Sequence, residues 1–172
     1  MYRAPGPYAA WVRWLEAFGR GEDLPSAHLV AVGIELGPQM LERLSRHLAE
    51  AFHARQRRWS DALIRDQQML LADPARAVTA IAVIMADARK RLGPLVALTT
   101  HPALPADLKE SLTAALQETV RSSQQSLEDS ARDAPAELRN AIRQNSLVPA
   151  LARTAAARPS GGSPTRRRVI LK

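Results

Sequence analysis

His47, Glu50 and His53 stand three residues apart, a spacing that brings successive pairs close together on a helix surface. Glu50-Ala51-Phe52-His53 has the Glu-x-x-His spacing used in helical metal sites, so a helical metal enzyme is the catalytic class to weigh first. A two-metal bundle needs a second such pair and further inward glutamates, and the sequence shows neither; a solvated helix face is the plainer reading. Ser122, Ser123, Ser126 and Ser130 lie in a polar stretch with no strand-turn-helix setting for a nucleophile. Gly93-Pro94 and Gly161-Gly162 lack the Lys-Ser/Thr continuation of a phosphate-binding loop. The chain has no cysteine, which excludes disulfides, thiolate nucleophiles, cysteine-ligated zinc and iron-sulfur centres. His28 and His101 are left to meet distant carboxylates only through the fold. The expectation is a protein without catalytic residues, bound metal or cofactor.

Binding chemistry concentrates at the C-terminal end. Residues 136–172 carry eight basic side chains against Glu137 alone, which accounts for the whole formal charge of +7 and leaves the first 135 residues balanced. Arg158-Pro159-Ser160-Gly161-Gly162-Ser163-Pro164 has the composition of a flexible connector. Beyond it, Arg166, Arg167 and Arg168 can meet carboxylates or phosphates, while Val169, Ile170 and Leu171 can fill a groove or join an exposed strand edge. This segment is the expected contact for a protein partner. The alternative partner is nucleic acid, with Arg57, Arg58, Arg139 and Arg143 joining the terminal arginines on phosphates. No zinc finger, paired RNA-binding aromatics or glycine-rich recognition loop supports specific readout.

Five of the seven aromatic residues, Tyr2, Tyr8, Trp11, Trp14 and Phe18, fall near the N-terminus. Their first expected role is to anchor helix packing; Trp11, Trp14 and Phe18 could alternatively form a self-association patch in a homo-oligomer. Arg13 and Arg20 are offset by Glu16 and Glu22, so no basic amphipathic membrane anchor is expected. No stretch approaches the roughly 18 apolar residues of a spanning helix, and no secretory pattern is evident, so a cytoplasmic location without membrane contact is expected.

The elements that must position these residues read as helices. Ala, Leu, Arg, Glu and Gln fill long intervals, and sustained period-two alternation is missing. A helix over about 8–19 places Trp11, Trp14 or Leu15, and Phe18 on one face before Gly19 and Gly21. A shorter helix is expected over 26–36, and the longest over 39–71, with Leu44, Leu48, Phe52, Arg55, Trp59, Leu63, Asp66 and Leu70 in one seam. Arg55 and Asp66 interrupt that seam and leave room for a bend or exposed edge. Asp73-Pro74 starts a helix to about Leu92 with Val78, Ile81 or Ala82, Met85, Ala88 and Leu92 inward, and its sparse charge implies a central position or an interface with another subunit. Gly93-Pro94 is expected to end it, leaving one helical turn within a connection. Asp107 with Glu110 suggests capping of a helix running toward residue 133, and 136–153 forms a last helix interrupted by Pro149.

The expected fold is therefore all-α: an elongated, mostly antiparallel helical bundle over residues 1–156, with a flexible linker and basic-apolar segment over 157–172. The expected function is a non-catalytic interaction or assembly module, in which the body supplies geometry and residues 166–171 dock on a partner.

Overall fold

The computed structural model of the chain describes residues 6–27, 29, 37–149 and 151. Five helices and no strand occur among them: α1 (Pro7–Arg20), α2 (Pro38–Ala72), α3 (Pro74–Thr99), α4 (Ala106–Ser130) and α5 (Ala136–Gln144). Together they form the expected all-α bundle. The expected helix over 26–36 falls largely outside the described residues, as do His28 and the terminal segment.

Local chemistry sets the helix ends. Pro7, Pro38 and Pro74 each open a helix, where the missing N–H has no intrahelical partner to lose. The Asp73 side chain accepts from the Arg76 N–H and caps α3 as its sequence position implies. Helix α1 closes at Gly21, whose φ of 95° is left-handed. The Gly21 N–H bonds the Phe18 carbonyl and the Glu22 N–H bonds the Ala17 carbonyl, so two terminal acceptors are satisfied.

Helix α2, about 50 Å long at the standard rise, is the spine. Helix α1 packs on one flank of it, and α3 and α4 pack along the rest; α5 closes over α3 and α4. Across a connection of the single residue Asp73, α3 folds back antiparallel to α2, and the Trp59 indole N–H reaches the Ala88 carbonyl at 2.9 Å. Direction in α4 is set by two buried glutamines of α2. Gln56 donates to the Ala115 carbonyl at 2.9 Å and to the Thr119 hydroxyl, and Gln67 donates to the Ser126 carbonyl at 3.3 Å. The same eleven-residue step separates donors and acceptors, so α2 and α4 run parallel with α3 opposed to both.

Four details depart from expectation. Helix α3 continues through Pro94 to Thr99 because Leu92, Leu95 and Leu98, on both sides of the proline, are buried in the core. Lys90, whose carbonyl loses a donor to Pro94, lies on an exposed turn where water can replace it. Val78 is exposed and Ala77 takes the inward position, one residue earlier in the seam. Asp107 lies in the first turn of α4 and not at its cap, which is Pro105, so its carboxylate acts on the helix dipole rather than as a cap. Helix α5 stops at Gln144, where the Asn145 side chain donates to the Ala141 carbonyl at 2.8 Å and competes with helix continuation. Leu147 then enters the core, its N–H held by the buried Gln124 side chain.

Candidate interaction surfaces

The aromatic group of α1 is buried. Trp11 meets Trp14 edge to face with centroids 6.2 Å apart, Trp14 stacks on Phe18 at 5.0 Å, and Trp11 meets His101 edge to face at 5.8 Å. The Trp14 indole N–H donates to the Leu24 carbonyl at 3.1 Å, which ties the segment after α1 back onto the helix. Trp11, Trp14 and Phe18 thus serve the core of this chain, and little of their surface is left to offer a second copy.

Arg55 is buried too, so the seam of α2 has no exposed edge there. Its guanidinium donates to the Phe18 and Glu22 carbonyls at 3.3 and 3.0 Å and to the Asp23 carboxylate, and its carbon lies 4.7 Å from the centre of the Phe18 ring. A cation thus sits at the negative end of the α1 dipole, binding the Glu22 carbonyl beyond the helix and adding to the Gly21 N–H bond already on the Phe18 carbonyl. Close packing brings it there: a Cβ built on Gly19 would stand 3.4 Å from the Cα of Ala51. Asp66, the other interruption of the seam, is half-buried and takes a 2.7 Å hydrogen bond from Arg91. Arg91 Nε also lies 2.9 Å from the Asp87 carboxylate, an ion pair without the alignment of a directed hydrogen bond.

Two depressions flank this junction. One, of about 390 Å³, is walled by Trp14, Phe18, Leu24, Ala97 and Leu98, with His101 at its edge. His101 Nδ1 accepts from the Ala103 N–H at 3.2 Å. Burial lowers its pKa from 6.5, with the Ser26 backbone bond opposing that shift and Lys109 adding to it, so the ring is biased toward its neutral form. The other, of about 380 Å³, is bordered by Arg58, Trp59, Lys90 and Arg91. They meet along Asp23 and Pro94, which line both.

The remaining sequence-predicted residues are dispersed. Arg57 and Arg58 are exposed on α2; Arg58 borders the depression beside Lys90, whereas Arg139 and Arg143 line a separate hollow between α4 and α5 with Glu128 and Asp129. These four arginines therefore do not line one groove. His47 Nδ1 is 3.8 Å from Glu50, while His53 Nδ1 is 3.0 Å from the Gln56 amide oxygen. Among the described residues, no three histidine and carboxylate side chains converge as metal ligands, and no helix is long and apolar enough to cross a membrane.

The outward face of α3 differs from every charged face around it. Ala75, Thr79, Ala82, Ala86, Lys90, Gly93 and Ala97 recur at three- and four-residue steps and are all exposed, and Val83 beside them is 71% exposed. Lys90 is the one charge within this row, and Arg76 and Asp87 flank it on the side of Val83. Sequence reasoning found the sparse charge of α3, but it missed the Arg55 junction, whose signal was an arginine between Phe52 and Trp59 in an apolar seam and two carboxylates directly after Gly21. Compared with protein families, with curated proteins and with solved structures, the chain matches none.

Proposed function

We propose that this chain is a non-catalytic assembly module in which the outward face of α3 packs against the same face of a second copy, leaving residues 166–171 to recruit a further protein partner. The observation that carries this reading is the row from Ala75 to Ala97, exposed over six turns with Lys90 its one charge and with Arg76 and Asp87 confined to one flank. Small side chains let two helix axes approach at the short end of the usual 8–10 Å range, and burying Val83 and the alanine methyls removes apolar area from water. By contrast, α2 exposes Glu42, Arg43, Arg46, Glu50, Arg57, Asp61 and Arg65, which would have to be desolvated in such a contact. A two-fold axis would place Lys90 near its own copy unless the helices are staggered, so the contact should centre on Ala82 and Ala86.

Light scattering over about a hundredfold range of protein concentration tests the reading. The full chain should show a dimer that dissociates on dilution, and the double substitution Ala82→Glu, Ala86→Glu should be monomeric with unchanged helicity. Deleting residues 157–172 should leave the dimer intact. A wild-type chain that stays monomeric throughout, or a double variant that dimerises as well as wild type, would overturn the α3 contact.

A further inference from the structure

The two depressions beside the Arg55 junction differ in chemistry. In the first, the Trp14 N–H is already donated to the Leu24 carbonyl, His101 Nδ1 accepts from the Ala103 N–H, and the lining carboxylates Glu22 and Asp23 are paired with Arg20 and Arg55, so the wall built from Trp14, Phe18, Leu24, Ala97 and Leu98 presents chiefly carbon. In the second, Arg55, Arg58, Lys90 and Arg91 stand against Asp23 and Asp87. Asp23 is already paired with Arg55, and Asp87 with Arg91, which also holds Asp66. Arg58 and Lys90 have no carboxylate within ion-pair distance among the described residues, so the unbalanced charge of this depression is positive and accessible.

The geometry points to a single site for a small amphipathic anion, an alkyl carboxylate of medium chain length, with its apolar body in the first depression and its carboxylate between Arg58 and Lys90 in the second. The shared border at Asp23 and Pro94 is what allows one molecule to occupy both. A volume of about 390 Å³ is at the small end of ordinary ligand sites and suits a chain of roughly ten carbons. The apolar wall supplies affinity by removing methylenes from water, and the two free cations select the charged head over a neutral one. A nucleic-acid strand fits less well, because Trp59 is buried to 3% exposure and offers no ring face for a base to stack on. The site shares Lys90, Gly93 and Ala97 with the C-terminal end of the α3 face, so decanoate binding is also measured on the Ala82→Glu, Ala86→Glu variant, which should bind decanoate as wild type does if the site stands without the α3 contact.

Trp14 lines one depression and Trp59 the other, so tryptophan fluorescence reads occupancy directly. The full chain is titrated with decanoate below its micelle concentration, with decanol and acetate as controls, and calorimetry confirms the stoichiometry. Decanoate should saturate at one per chain, with decanol and acetate each at least about tenfold weaker. Arg58→Glu with Lys90→Glu should weaken decanoate by about tenfold or more, and Ala97→Trp, which fills the apolar depression from an exposed position, should abolish saturation. Circular dichroism verifies that both variants are folded. Absence of saturation with the wild-type chain, equal binding of decanol, or binding that survives either variant would overturn the proposal.

Discussion

Helix α2 is held on its two flanks by opposite kinds of polar contact. Toward α1 the contact is ionic: the Arg55 guanidinium gathers the Phe18 and Glu22 carbonyls and the Asp23 carboxylate. Toward α4 it is neutral, with the Gln56 and Gln67 amides donating to the Ala115 and Ser126 carbonyls. The acceptors differ as much as the donors. The Glu22 carbonyl lies beyond α1, and the Phe18 carbonyl in its last turn has only the capping Gly21 N–H, whereas Ala115 belongs to the interior of α4 and has an intrahelical donor already. A cation here completes a helix end, while an amide adds a second bond to a satisfied group and so fixes register more than stability.

That difference is open to measurement by urea unfolding. Arg55→Met keeps much of the buried length but leaves helix-end carbonyls without their charged donor, and should lower the unfolding free energy by about 1.5–3 kcal/mol. Arg55→Lys should recover only part of this, since one ammonium cannot reproduce a planar fork spanning two carbonyls and a carboxylate. Gln67→Leu removes the amide but strands no acceptor, and it should cost about 1 kcal/mol or less. Equal losses for Arg55→Met and Gln67→Leu would erase the distinction between the flanks.

How far the sequence disclosed these contacts follows from the range of the forces involved. The helices and their apolar seams were legible because periodicity is local: Trp11, Leu44, Leu48, Phe52, Trp59 and Leu63 were placed inward from spacing alone and are buried. The continuation of α3 past Pro94 was not, because the core contacts of Leu95 and Leu98 override a local helix breaker. Arg55 was read as an interruption of the seam for the same reason. Its partners lie more than thirty residues away, and no local rule pairs it with Asp23. The roles of Gln56 and Gln67 are not legible locally, because a glutamine's burial depends on an acceptor from another helix, here α4, more than fifty residues on. The two depressions are illegible for a further reason: each is assembled from separate stretches of chain, so Trp14, Phe18, Arg58, Trp59 and His101 stand out singly in the sequence with nothing to show that they border neighbouring hollows.

The smallest expected effect sharpens the comparison through pH. His101 belongs to the α1 flank through its edge contact with Trp11, and burial lowers its pKa below 6.5. Near that pH the unfolded chain therefore binds more protons at this site than the folded chain, so stability at this site rises with pH. The contribution is complete above about pH 6.5 and is lost as the pH falls through the lowered folded-state value. Other groups titrate over part of this range, and the variant His101→Gln isolates the effect by removing one titration while keeping a polar side chain of similar reach. Urea midpoints at about pH 7.5 and about pH 5.5 should fall further on acidification for wild type than for His101→Gln. Gln67→Leu, on the neutral flank, should retain the wild-type dependence. If His101→Gln loses as much stability on acidification as wild type, protonation of this ring does not govern the α1 flank, and its pH response belongs to groups elsewhere.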